Sequence, residues 1–144
     1  MKGFKSKEEV FIYLKKKFSK ESKLILLRGS TATKPAKKFS DFDIEVYGNK
    51  SKKPSYELAF LKEKPILLSV YFYKYSEGEK IQKPLNVKII FGRYTDKIKP
   101  NFSKDTYTDK EKIRRECQLV IDFLFKYLRC GDKKYLESVQ KRLK

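Results

Sequence analysis

Residues 41–45 read Asp-Phe-Asp-Ile-Glu. Side chains alternate along a strand, so Asp41, Asp43 and Glu45 share one face while Phe42, Ile44 and Val46 share the other. Carboxylates placed in this way stand about 7 Å apart and repel one another. A bound divalent cation removes that repulsion. Mg²⁺ suits the arrangement, because it takes a few carboxylate oxygens and leaves its other positions to water and phosphate. Upstream, the apolar run Leu24 to Leu27 has the length of a buried strand and breaks at Gly29-Ser30. A Gly-Ser turn offers backbone N–H groups and a hydroxyl to a phosphate with no bulky side chain in the way. Residues 24–47 thus read as a phosphate seat followed by a metal seat. The plainer alternative is an ordinary turn and an edge strand with a solvated acidic face.

Gly29-Ser30 is followed by ten residues, Thr31 to Ser40, and then Asp41-Phe42-Asp43. This pattern resembles the signature of the polymerase-β-like nucleotidyltransferase superfamily. The spacing is similar to that of the minimal nucleotidyltransferases, which include the antitoxin partners of HEPN toxins, and the aminoglycoside adenylyltransferases open in a similar way. The resemblance covers residues 24–47 in detail and the rest of the chain by order of elements. It implies an α+β (α/β) fold: a mixed β-sheet with helices packed on one face and a helical C-terminus. It also implies a Mg²⁺-dependent transfer of an NMP, AMP from ATP by default, to an acceptor hydroxyl. Asp41 and Asp43 would be catalytic and would hold the metal. Gly29 and Ser30 would hold the β- and γ-phosphates, with Arg28 and Lys38 as further phosphate contacts. The acceptor would be a protein partner of HEPN type or an RNA end. A cationic aminoglycoside fits poorly with a chain of net charge +18.

The superfamily places a third metal-binding acid on a later strand. On Leu85 to Phe91 the matching position reads Asn86, or Lys88 in the other register, and neither is an acid. Asn offers a carbonyl oxygen to a metal but brings no charge and cannot act as a base. Glu45, on the face of Asp41 and Asp43, is the other candidate ligand. This departure supports a second reading, a catalytically impaired relative that binds nucleotide or nucleic acid.

The elements that must position these residues are legible in part. Ser6-Lys7-Glu8-Glu9 reads as a capping box, and Val10, Phe11, Leu14 and Phe18 recur at helical spacing, predicting a helix over Lys7 to Ser19. A strand follows at about Lys23 to Arg28. Thr31 to Thr33 can open one short helical turn, and Pro35 stops a longer one. Tyr56 to Lys62 reads as a short helix capped by Ser55, or as a strand. Ile66 to Lys74 is rich in β-branched and aromatic residues and predicts a strand. Ser76 to Glu79 reads as a turn, so Leu85 to Phe91 is expected to return as the partner strand of a hairpin. Arg93 to Tyr107 reads as irregular. Thr108 to Glu111 is a second capping box. Ile113, Cys117, Val120, Ile121, Leu124 and Leu128 form a helical stripe, predicting a helix of about Asp109 to Arg129 packed on the sheet with Cys117 buried. Gly131 ends it, and a last helix starts at Asp132.

The chain of 144 residues is expected to form a single domain, residues 1–144, with a core over about 6–92 and C-terminal helices over about 108–143. No apolar run approaches the roughly 20 residues that a membrane span needs. The N-terminus has no apolar segment of signal-peptide type. Two cysteines and no histidine argue against a zinc site and for reduced thiols in a cytoplasmic protein. The net charge of +18 favours an anionic partner, an NTP or a nucleic acid. Only six of the basic residues are Arg, so charge alone does not argue for base-specific reading.

Overall fold

Ser6 starts the first helix, α1 (Lys7–Phe18), by accepting a hydrogen bond from the Glu9 N–H at 3.3 Å. The Glu9 carboxylate returns to accept from the Lys5 N–H at 2.7 Å, so two otherwise unpaired donors are satisfied. Val10, Leu14 and Phe18 recur on one side of this helix and are buried. The computed structural model describes residues 1–37, 40–75, 87–93 and 108–144. The chain forms two compact units, Met1–Phe102 and Ser103–Lys144.

In the first unit, β1 (Gly3–Phe4), β2 (Ser22–Arg28), β3 (Ser40–Gly48), β4 (Lys52–Leu61), β5 (Lys64–Lys74) and β6 (Val87–Gly92) form one sheet in the order β1-β4-β5-β3-β2-β6. The sheet is mixed: β3 and β5 run parallel, as do β1 and β4, and the remaining neighbours are antiparallel. Ile25, Leu27, Phe42, Ile44, Val46, Ile66, Leu68 and Val70 face α1 and form the main core with its buried stripe. Fully burying an aliphatic or aromatic side chain of this size contributes about 1.5–3 kcal/mol. The fold is therefore of the α+β kind expected.

Tyr56 to Lys62, open between helix and strand in the sequence, lies mostly in β4. β4 turns into β5 through Lys62 and Glu63, whose positive φ values of 48° and 64° match the twist of a two-residue hairpin. The expected hairpin between Ile66–Lys74 and Leu85–Phe91 does not form. β5 already has a neighbour on each edge, β4 and β3, so it has no free ladder to offer. β6 pairs instead with β2 at the far side of the sheet. The predicted turn at 76–79 and most of the irregular stretch at 93–107 lie outside the described residues.

In the second unit, α2 (Asp109–Cys130) and α3 (Lys133–Arg142) match the predicted helices closely. Gly131, at φ 71°, ends α2, and the Asp132 side chain caps α3 by accepting from the Lys134 N–H at 3.1 Å. Phe123 stacks on Tyr135 at 6.3 Å between ring centres, and Arg142 pairs with Glu116 at 2.6 Å, so the two helices run antiparallel. Cys117 is exposed, not buried as expected. It lies on the stripe of Ile113, Ile121, Leu124 and Leu128, all exposed, while α3 docks against the side carrying Glu116 and Phe123. No helix of the described residues is long and apolar enough to cross a membrane.

Candidate active site

The sheet face opposite α1 carries Arg28 from β2, Asp41, Asp43, Glu45 and Tyr47 from β3, and Ser69 and Tyr71 from β5. The alternation expected of residues 41–46 holds: Phe42, Ile44 and Val46 are buried in the α1-side core. Apolar packing of that side thereby fixes the direction of the carboxylates.

Gly29 leaves β2 with φ 79°, a conformation that side-chain-bearing residues rarely adopt. A Cβ at this position would lie 3.8 Å from Asp43 Oδ2, so bare backbone borders the carboxylate. Ser30 is exposed and opens a single 3₁₀ turn, Ser30–Ala32, where a short helical turn was expected. The turn is held from two sides. Buried Thr31 donates its hydroxyl to the Asp41 carbonyl at 3.2 Å, tying the loop to the start of β3. Lys7, in the first turn of α1, donates to the carbonyls of Thr31, at 2.6 Å, and of Lys34. Burial, and then the charge of Lys88, lowers the Lys7 pKa.

Within the carboxylate row, Asp41 Oδ1 accepts a hydrogen bond from the Ser69 hydroxyl at 2.7 Å. Asp43 lies level with Arg28 on one neighbouring strand and with Ser69 on the other. Arg28 pairs with Glu45, which also accepts from the Tyr47 hydroxyl at 2.7 Å. Burial opposes the Arg28 charge, but the Glu45 carboxylate more than compensates, so the Arg28 pKa is raised. Burial, then the neighbouring Glu45 charge, pushes the Tyr47 phenol well above its usual range.

The structure thus brings together Gly29, Ser30, Arg28, Asp41, Asp43 and Glu45. Lys38 and Asn86 lie outside the described residues. Lys88 belongs to the other face: it pairs with Leu27 and its Nζ sits 4.6 Å from the Phe11 ring centre of α1. On the side away from β2, β3 is flanked by β5, where the residue level with Asp43 on the site face is Ser69. Among the described residues no three acidic or thiol groups converge on one point. Ser69, Thr31 and Lys7 were not found by reading the sequence. The one faint signal was a polar Ser69 inside an otherwise apolar, alternating run. Two carboxylates on one sheet face, in a unit whose sequence has no histidine or cysteine, form a hard-oxygen donor set, which fits Mg²⁺.

Residues 8–129 match a family model described as a nucleotidyltransferase domain. Among curated proteins, none matches the chain.

Proposed function

The chain belongs to the nucleotidyltransferase domain family, and from that premise we propose that it moves AMP from ATP to an acceptor hydroxyl with Mg²⁺ as cofactor. Transfer of a nucleoside monophosphate is the general activity of the family, and divalent metals are its general cofactors. The observation that carries the reading is the placement of Gly29 beside Asp43, with Asp41 on the same face.

In this reading Asp41 and Asp43 hold the metal. Ser69 keeps Asp41 in place through its hydrogen bond. The Gly29–Ser30 backbone and the Ser30 hydroxyl hold the β- and γ-phosphates, and Arg28 lies next to them in the chain. When bound, Mg²⁺ supplies charge neutralisation as the α-phosphorus is attacked. The acceptor oxygen forms a bond to the α-phosphorus and the bridging bond to the β-phosphate breaks. Pyrophosphate leaves with that electron pair, and the acceptor proton passes to a carboxylate oxygen of Asp41 or Asp43. Positioning and electrostatics supply most of the rate in reactions of this type.

The acceptor belongs to an RNA end or to a protein partner of HEPN type. In this reading residues 1–144 work as one nucleotidyltransferase domain, which the family match over residues 8–129 supports. Free thiols at Cys117 and Cys130 suit a cytoplasmic protein.

Titration calorimetry of ATP, with and without Mg²⁺, on the wild type and Asp43→Ala tests the proposal. Binding that needs Mg²⁺ and is lost in the variant is expected. Absence of binding by the wild type to any NTP would overturn the reading. A second reading, nucleotide binding without transfer, is favoured by one observation: the residue level with Asp43 on β5 is Ser69, not an acid. Mg²⁺-dependent binding with no release of pyrophosphate, whatever acceptor is supplied, is its signature.

A further inference from the structure

Lys7 is the first residue of α1, directly after the Ser6 cap. Its charge is badly placed for that helix. A helix N-terminus carries a partial positive charge and favours acids, such as the neighbouring Glu8 and Glu9. Burial and the nearby Lys88 charge oppose the Lys7 ammonium further. What compensates lies outside α1. The ammonium donates to the carbonyls of Thr31, at 2.6 Å, and of Lys34. Both belong to the segment that follows Gly29, 24 and 27 residues away in the chain. That segment closes on itself through the Ser30 carbonyl, which accepts from the Thr33 N–H at 3.2 Å and the Lys34 N–H at 2.8 Å. A lysine on the last carbonyls of such a turn satisfies acceptors that the turn cannot satisfy by itself. Thr31 carries the connection further, because its hydroxyl donates to the Asp41 carbonyl at 3.2 Å. One ammonium thus links α1, the turn after Gly29 and the start of the carboxylate row.

We propose that Lys7 is a positioning residue for the triphosphate. By fixing the Thr31 and Lys34 carbonyls, it holds the Gly29–Ser30 backbone in register with Asp41 and Asp43, so that the outer phosphates of a metal-bound nucleotide meet a seat already formed. The role rests on the nucleotide site proposed above, and Lys7 acts in it through the turn. Pre-set geometry of this kind is what a positioning group supplies. Without the ammonium the turn loses its tie to α1, and the β- and γ-phosphates lose a fixed seat. The carboxylates keep theirs, since the β3–β5 ladder and the Ser69 hydroxyl hold them independently of Lys7. The consequence is selective. Lys7 sets how much the two outer phosphates add to affinity, and leaves the binding of the metal and of AMP as it is. A lysine that only braced α1 would lower the affinity for every ligand alike.

The test compares ATP with AMP, each in the presence of Mg²⁺, by equilibrium titration of the full chain. The wild type is expected to bind ATP more tightly than AMP. Lys7→Met keeps the apolar stem and removes the donors. It is expected to lose about tenfold in ATP affinity and less than about twofold in AMP affinity. Equal losses for the two ligands overturn the proposal. So does a Lys7→Met protein that keeps the wild-type preference for ATP. Should that variant fail to fold, Lys7→Gln, which is polar but carries no ammonium, is judged by the same ratio. A wild type that binds ATP no more tightly than AMP defeats the phosphate seat itself, whereas a wild type that prefers ATP beside variants that prefer it equally defeats only the role of Lys7.

Discussion

The Ser69 hydroxyl donates to Asp41 Oδ1 at 2.7 Å, across the parallel pair β3–β5. Ser69 is fully buried and holds the first carboxylate of the row while standing level with the second. Removing the hydroxyl in Ser69→Ala is expected to cost about 1 kcal/mol of stability and to weaken Mg²⁺-dependent nucleotide binding. Ser69→Asp places a third carboxylate beside Asp41 and Asp43. Without metal it should melt below the wild type, because three like charges then crowd together. With Mg²⁺ its melting temperature should rise by more than that of the wild type. Thermal scans across a Mg²⁺ series check this, and an equal Mg²⁺ response in both proteins would falsify the placement of the metal beside Ser69.

Glu45 shares the carboxylate face, but Arg28 and Tyr47 already engage both of its oxygens. It is therefore expected to act as a structural counter-charge. Glu45→Ala leaves a half-buried guanidinium and a buried phenol without their acceptor. The expected loss is about 2–3 kcal/mol, below the figure for a fully buried pair because Arg28 keeps some access to water. Denaturant titration measures it. Glu45→Gln, which keeps the shape, should retain Mg²⁺-dependent ATP affinity to within a few-fold. A loss as complete as in Asp43→Ala would make Glu45 a metal ligand instead.

Tyr47 gives the fold a pH dependence on the alkaline side. Burial, followed by the Glu45 charge, raises its pKa in the folded state. Below the ordinary tyrosine value of about 10, folded and unfolded chains both keep the proton. Above it the unfolded chain releases the proton and the folded chain does not, so stability falls as pH rises. The slope approaches about 1.4 kcal/mol per pH unit for this one group. Tyr47→Phe should be less stable near pH 7 by about 1 kcal/mol, having lost one hydrogen bond, and should lose less on going to about pH 11. Curves that stay parallel over that range would show that Tyr47 ionises freely in the fold.

Gly29 is held at φ 79° with its Cα turned to Asp43. Gly29→Ala places a methyl group near Asp43 Oδ2 and forces a side-chain-bearing residue into that conformation, at a cost of about 1–3 kcal/mol. Affinity for inorganic triphosphate with Mg²⁺ should fall together with the melting temperature. Unchanged affinity would mean that the phosphates sit elsewhere.

Much of the fold was legible because local chemistry decides it. Ser6 and Glu9 satisfy helix-end donors only a few residues away, so α1 could be read from a short stretch. The alternation in residues 41–46 assigned Asp41 and Asp43 to one face and Phe42 and Ile44 to the other, since the pleat has a period of two. Gly29-Ser30 marked the end of β2 because a backbone conformation of that kind favours glycine. The stripe on α2 was also correctly periodic, but periodicity identifies an apolar side and not what covers it, so Cys117 was misplaced.

The sequence by itself determined the Gly-Ser turn and the carboxylate motif, the class of the fold and the family of the chain. Only the tertiary structure decided which strand stands beside the carboxylates. β5 follows β3 in parallel while β4 takes the outer position, so Ser69, not a residue of β6, lies level with Asp43. It also decided that Lys7 holds the Thr31 carbonyl, that Glu45 is spent on Arg28, and that Tyr56 meets Tyr71. Helix caps and strand alternation depend on neighbours within a few residues. Strand order depends on which ladder edges remain open once the whole sheet is built, and side-chain pairs between strands are fixed only then.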